Sequence, residues 1–423
     1  MNFVPISALI VFGSVTGFGQ TLWYDVPVGT TSKLNAIDFP SNSVGYIGGN
    51  NGILLKTVDG GATWDQLSFS GIDFAAGYEH INYLDFVDEN LGYASSEYSG
   101  VFKTTDGGFT WAQVTLSPDV CHWGGICFFG EDEGFIGGAD SFYGERIEVL
   151  SAGTSTPATI HNSFSGYVVD FDFLGTGLGL AASTGGRILR TTDGGINWDT
   201  IPSGLMPEVA LTSIEIVNDT LAFAGHDSMG AAMLGLLRSV DGGLTWASDP
   251  ASATFYYYPS FYCVHAAENG TIYSGASDST LGSSAPMIFE SFFPEDWWPS
   301  SVVAQPIRAL SSYADVVWGV GDSGYVVVNQ DPDLLEQLEI SGFDGPSGLK
   351  LIPNPADADV RIELPLSSDH WNGQLSIHDL SGHLVAEISV SQNQFNVGLL
   401  TPGIYIISLE DTTEPFFGKL IVR

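Results

Sequence analysis

The side chains best suited to chemistry stand at one recurring position. Asp38, Asp85, Asp172 and Glu215 each occupy the middle of a short strand-like segment, and Cys127 and His265 hold that place in two further copies. Two carboxylates roughly 5–10 Å apart could hydrolyse a glycosidic bond, one as acid and the other as base or nucleophile. The competing reading is architectural: an acid repeated in copy after copy holds a neighbouring loop or faces solvent, and repetition marks the fold before it marks a site.

A second group precedes the same segments. Aligned on them, Lys33, His80, His122 and Tyr167 share one equivalent position, on the side where loops would surround a central opening. Tyr78, Trp123 and the run Tyr256, Tyr257, Tyr258 are near in sequence, and Arg308 adjoins the last copy. Flat rings with polar tips suit sugars or peptide side chains. The alternative is that each ring packs between units. His80 and His122 would make a metal site only if Cys121 and Glu79 also turned inward; zinc-type ligand spacing is absent. No catalytic residue, metal or cofactor is assigned. A sialidase would need an arginine cluster for its substrate carboxylate. Before residue 330 there are only Arg146, Arg187, Arg190, Arg238 and Arg308, three of which belong to repeated strands. A Gly-x-Ser-x-Gly elbow, phosphate loop or dinucleotide fingerprint in a strand–helix context is also lacking.

These residues are positioned by a repeat. Thr57-Val-Asp-Gly-Gly-Ala-Thr-Trp64 recurs as Thr104–Trp111, Thr191–Trp198 and Ser239–Trp246, with Asp59, Asp106, Asp193 and Asp241 stepping by 47, 87 and 48 residues. The double step means that one unit has lost its motif. Upstream of each motif come an Ile/Leu-x-Phe strand, a Gly-aromatic strand, a Gly turn and an apolar strand ending in Lys or Arg, with the alternation of half-buried strands. Degenerate units begin near Ile126, Val264 and Ala309, giving seven between about residues 30 and 330. Four strands per 40–50 residues predicts a β-propeller; seven blades are expected, with six or eight as alternatives. Leu22–Pro27 reads as a detached fourth strand, pairing beside Tyr325–Val328 to close the ring and remove a sheet edge. The fold class is thus all-β: a seven-bladed β-propeller, residues 20–330, followed by a small C-terminal β-sandwich domain.

The four motifs resemble the Asp-box of the sialidase/BNR repeat family, and the whole repeat resembles the photosystem II assembly factor type of propeller. The resemblance implies fold, not activity. The motif aspartates are read as structural, accepting backbone N–H groups within their hairpins while the glycines supply positive φ and the Trp packs on the blade.

After Val328 the grammar changes. Residues 331–348 form an acidic, Pro- and Gly-broken linker with one short helix expected around Leu334–Leu338. Residues 349–423 carry Pro353-Asn-Pro355, an Asp379-Leu-Ser-Gly382 turn, Pro402-Gly-Ile-Tyr405 and a final strand from Lys419 to Arg423. In that order these elements resemble the type A C-terminal sorting domain of type IX secretion cargo in the Bacteroidota, with His383 where that family more often has Arg or Lys. The resemblance implies type IX machinery as a partner, and secretion or display at the cell surface.

The N-terminus and the charge agree with that address. Residues 1–19 read as a secretory signal peptide, an uncharged apolar run from Phe3 to Val15 followed by small residues before Gln20. It lacks the usual Lys or Arg, and no later segment resembles a membrane span. With 49 acidic and 12 basic residues, the formal charge of −37 excludes nucleic acid as partner and disfavours anionic membranes. Three cysteines are too few for a disulfide scaffold; Cys121 and Cys127 form either one local bridge or free thiols in apolar strands. The reading is a secreted propeller that recognises a glycan or protein ligand at the aromatic mouth of its channel. The alternative is an extracellular polysaccharide-active glycoside hydrolase.

Overall fold

A computed structural model of the chain describes residues 22–330, except 69–79, 117–119, 143, 153, 162–165, 176, 205–208, 228–234, 250–258, 279–284 and 292–296, together with seven strands between 350 and 422. The leader at 1–19, Tyr78, Tyr256–Tyr258, the linker with its helix, and the Pro353–Pro355, Asp379–Gly382 and Pro402 elements lie outside the described residues, as does the side chain of Cys121. The chain divides into two compact units, Met1–Leu335 and Glu336–Arg423.

The first unit is a ring of seven sheets. In chain order the blades open with Leu34–Asp38, Tyr83–Phe86, Val120–Gly130, Val168–Leu174, Ala210–Ile216, Pro259–Ala266 and Ile307–Tyr313. Each of these strands packs against the opening strands of both neighbours, so together they line the axis. Blade 7 takes its outer strand from the other end of the unit: Tyr24 pairs with Val328 and Asp25 with Val327, antiparallel. The Tyr325 hydroxyl adds a bond to Asp25 Oδ1 at 2.7 Å. This closure leaves no open edge between the first and last blades.

Local sequence explains how the blades fit. Near the axis adjacent sheets converge, and glycines allow it: a Cβ on Gly48 would stand 2.6 Å from Ile81 Cγ2, and one on Gly275 would stand 2.6 Å from the Ile307 carbonyl oxygen. Farther out the sheets diverge and aromatic rings fill the space. Tyr46 of blade 1 stacks on Phe86 of blade 2 and Tyr93 on Phe128 of blade 3, both with centroids 3.5 Å apart. Phe135 stacks on Phe173 and Trp318 on Phe39 in the same sense. Such pairs contribute ~0.5–1.5 kcal/mol each beyond the area they bury.

Blade 4 has a fifth strand that the repeat pattern does not reveal. Thr159–His161 leaves blade 3 and runs parallel to Asn197–Pro202 at the outer edge of blade 4. Its Ile160 packs on the cluster containing the fully buried Trp198. Cys127 and Cys263 are free thiols.

The second unit contains two antiparallel sheets. One joins Lys350–Ile352, Asp359–Glu363 and Gln394–Asn396; the other runs in the order Leu384–Val390, Gly373–His378, Gly403–Leu409, Phe416–Val422. Leu375 and Ile377 alternate inward from the second sheet and are fully buried.

Candidate functional site

The carboxylates of the opening strands form a belt around the axis. Asp38 Oδ2 of blade 1 accepts the backbone N–H of Phe86 in blade 2 at 2.6 Å, and Asp85 Oδ2 accepts that of Phe128 in blade 3. Asp170 and Asp172 of blade 4 accept from Ile214 and Ile216 of blade 5, and Glu215 of blade 5 from Ala266 of blade 6. His265 meets Ser312 at 2.7 Å, and Ser311 accepts the N–H of Phe39 to complete the circuit. Between blades 3 and 4, where Cys127 stands, the strands instead approach through Gly124 and Gly125: a Cβ on either would fall within 2.6 Å of the Val168 or Val169 carbonyl oxygen.

Enclosure shifts these groups strongly. Burial raises the pKa of Asp38 to about 7 and that of Asp170 to about 7. Burial and then the neighbouring Asp38 charge raise Asp85 to about 8. Asp172 rises to about 6, and Glu215 moves in the same direction. Burial lowers His265 to about 4, so the imidazole is neutral at pH 7. The hydrogen bonds from backbone N–H groups oppose the rise in the acids without cancelling it.

Asp170, Asp172, Glu215 and His265 face a central cavity of about 220 Å³, lined also by Asn35, Asn82, Tyr83, Tyr262 and Arg308. Lys33, His80 and Tyr167 precede the opening strands of their blades and His122 lies near the start of its own, but none of the four lines this cavity. Arg308 makes a two-point ion pair with Asp322, at 3.1 and 2.8 Å, while its guanidinium lies 4.0 Å from the ring centre of Tyr262. Lys33, on the next blade, keeps part of its side chain in solvent and part of it covered. Partial burial, and then repulsion from Arg308, lower its pKa. His80 Nδ1 accepts the N–H of Asn51 at 3.4 Å.

The other predicted residues are grouped around blades 2 to 4. His122 Nδ1 is 3.9 Å from Glu97 and its ring contacts Tyr98 edge-on. The Trp123 backbone N–H donates to the Glu97 carbonyl, while its side chain leans on an apolar cluster between blades 2 and 3. Tyr167 is half-buried, anchored through its backbone to Thr184, and packs against the core of blades 4 and 5. Trp123 and Tyr167 thus present only part of their rings.

Sequence reasoning missed the acids opposite these bases. Glu97, Asp140, Asp227, Asp278 and Asp322 occupy one repeat position, at or directly after the end of the second strand of their blades, and Asn50 and Thr184 fill it elsewhere. Asp322 holds Arg308, Glu97 faces His122, and Asp227 accepts from Ser260 at 2.8 Å. The polar residue following each Gly-aromatic strand was the available signal. Among the described residues no three His, Cys, Asp or Glu side chains come together as a metal cage requires.

The four motif aspartates lie in the turns before the outermost strands. Asp106 Oδ1 accepts from Thr104 Oγ1 at 2.9 Å and from the Thr110 N–H at 2.8 Å, and Oδ2 accepts from Thr110 Oγ1 at 2.6 Å. Trp111 Nε1 donates to the Gly108 carbonyl. Asp59, Asp193 and Asp241 repeat this pattern. Hydrogen bonding lowers the pKa of all four, that of Asp193 to about 2.

Comparison with known proteins follows the division into two units. Residues 17–141 match the family model for photosynthesis system II assembly factor YCF48, and residues 350–423 match that of the secretion system C-terminal sorting domain. No curated protein matches the chain. Among solved structures it is similar to YCF48 bound to D1 peptide, with TM-score 0.56 and 16% identity over 74% of this chain and 96% of that one. It is similar to YCF48 from Cyanidioschyzon merolae, with TM-score 0.55 and 16% identity over 72% and 98%. It is also similar to an ancestral GH74 enzyme, with TM-score 0.53 and 12% identity over 95% and 64%. At these identities the likeness is one of fold. No helix among the described residues is long and apolar enough to cross a membrane. The chain is therefore a seven-bladed β-propeller that matches the YCF48 family model over residues 17–141 and carries a C-terminal sorting domain, which directs it through type IX secretion to the cell surface or the exterior.

Proposed function

We propose that the propeller is a recognition module, released or displayed outside the cell after cleavage of residues 1–19, and that its ligand binds at the channel rim. The observation that carries this reading is the use already made of the channel acids. Asp170 and Asp172 each accept a backbone N–H of their own strand through Oδ1 and one of the next blade through Oδ2. Carboxyl groups so occupied hold the ring together; a glycosidase needs its pair free to exchange protons with substrate and water.

The rim offers what recognition needs. Lys33 and Arg308 are cations in a strongly acidic molecule, and Tyr262, His80 and His122 add polar rings around the opening. Such a surface suits a glycan or a peptide bearing carboxylates. The similar propeller solved with D1 peptide shows that a protein of this fold takes a peptide. The second reading, a polysaccharide hydrolase, draws on Asp172 and Glu215, which face the same cavity and have raised pKa values.

The experiment is a binding and product screen of the purified chain against polysaccharides and acidic peptides. Saturable binding without new reducing ends, weakened by Arg308→Ala, supports recognition. New reducing ends lost in Glu215→Gln would overturn it in favour of hydrolysis. No binding to either class, or binding indifferent to Arg308→Ala, would remove the rim from consideration.

A further inference from the structure

Two of the four Asp-box hairpins, those of blades 2 and 5, are secured by a cation from the preceding blade. Lys56 of blade 1 donates through Nζ to the Gly107 carbonyl in the hairpin of blade 2, at 3.0 Å, with its ammonium 5.1 Å from the ring centre of Tyr46. Arg190 of blade 4 donates through Nε to the equivalent Gly242 carbonyl of blade 5 at 2.7 Å. The register fixes the position: Lys56 pairs across its sheet with Tyr46, and Arg190 with Leu180.

In blade 3 the residue at that register, opposite Phe135, is Val149. It faces an intact Asp-box in blade 4, but it has no donor for the Gly194 carbonyl. Beside it opens a cavity of about 600 Å³ lined by Phe129, Phe135, Val149, Phe173, Glu133 and Gly194. Phe129 is 51% exposed at its edge. Blade 7 also carries a valine here, Val328 opposite Trp318, before the Asp-box of blade 1. There the larger indole fills the space, stacked on Phe39 and 1% exposed. Phe135 is too small to do the same.

We propose that this cleft binds an organic cation, an ammonium or guanidinium on an apolar stem. The stem lies on Phe129, Phe135 and Phe173, and the charged head reaches the Gly194 carbonyl and the Glu133 carboxylate. The molecule itself specifies this chemistry, because at two other blade junctions its own Lys56 and Arg190 supply such a group. Aromatic faces and a carboxylate favour a cation over a neutral isostere. The site is separate from the channel rim and stands or falls independently of it.

The test titrates the full chain with n-hexylammonium and with hexan-1-ol, and separately with Nα-acetyl-lysine methylamide and its Nε-acetylated form. One saturable site preferring hexylammonium over hexanol by about fivefold or more is expected. The lysine pair shows whether a peptide side chain can be the source or only a free amine. Val149→Lys, which restores the internal cation, should abolish binding and raise the melting temperature. Equal affinity for amine and alcohol, or binding unchanged by Val149→Lys, would overturn the proposal. If Val149→Lys fails to fold, Glu133→Gln decides: a diminished preference for the amine supports the site, and an undiminished one overturns it.

Discussion

Asp38 Oδ2 and the backbone nitrogen of Phe86 are 2.6 Å apart, and this bond joins two blades at the axis. Equivalent bonds from Asp85, Asp170, Asp172 and Glu215 make the belt both a fastening and a store of bound protons. An unfolded aspartate releases its proton near pH 4, whereas the folded belt retains protons up to about pH 6–8. Between these limits the native state binds more protons than the unfolded state, so stability falls as pH rises. The Asp-box aspartates act oppositely. Their lowered pKa values contribute stability above about pH 4 that is lost as pH falls towards 2. Chemical denaturation from pH 3 to 9 should therefore show a maximum near pH 4, with a decline to about pH 8. Because general charge repulsion acts in the same direction, the series is repeated in high salt, where the part due to the belt persists. A flat profile in high salt would contradict the account.

Asp85 separates the two components of the belt. Asp85→Asn keeps an oxygen for the Phe128 N–H and removes the titrating proton, so it should raise stability at pH 8 while changing little at pH 4. Asp85→Ala leaves that N–H without its partner and should destabilise at both pH values, by about 1–3 kcal/mol. Urea denaturation of the two variants at the two pH values distinguishes them.

Much of this architecture was legible in the sequence, and the reasons are local. Asp-Gly-Gly-x-Thr-Trp specifies a turn through its own side chains and glycine φ values, so its hairpins could be read without tertiary context. The seven units and the closing Tyr24–Asp25 strand followed from the spacing. The belt was half legible: an acid at a repeated position was visible as architecture, but its bond to the next blade joins residues about 45 positions apart. The rim acids Glu97 and Asp322 carried a weaker signal, because Asn50 and Thr184 interrupt the repetition of charge at their position. The fifth strand of blade 4 gave no signal, since Thr159–His161 is short and takes its place only by packing beside Trp198. The cleft at Val149 appears only when register is known, because its meaning lies in the lysine or arginine that other blades have there.

The Asp-box itself should behave as a stability element. Asp106→Ala removes the acceptor for Thr104 Oγ1, the Thr110 N–H and Thr110 Oγ1. The hairpin is solvent-exposed, so water replaces part of the loss, and about 1–2 kcal/mol is expected. Asp106→Asn should cost less, because one acceptor oxygen remains. Melting temperatures of both variants test this, and hexylammonium binding between blades 3 and 4 should be unaffected.

Gly195 tests how closely successive blades are matched. Its φ is +83°, and an added Cβ would stand 2.2 Å from Phe135 Cε1 across the junction of blades 3 and 4. Gly270 has the same φ of +83°, yet a Cβ added there would meet no heavy atom within 4 Å. Gly270→Ala therefore isolates the backbone cost of a left-handed alanine, about 1–2 kcal/mol. Gly195→Ala adds displacement of a ring held between Phe173 and Trp198, for a further ~1–3 kcal/mol. The difference between the two in urea denaturation measures the packing component. A difference near zero would mean that Phe135 moves into the adjacent cleft at no cost, and hexylammonium binding to the Gly195→Ala variant would then be weakened as the ring takes its place.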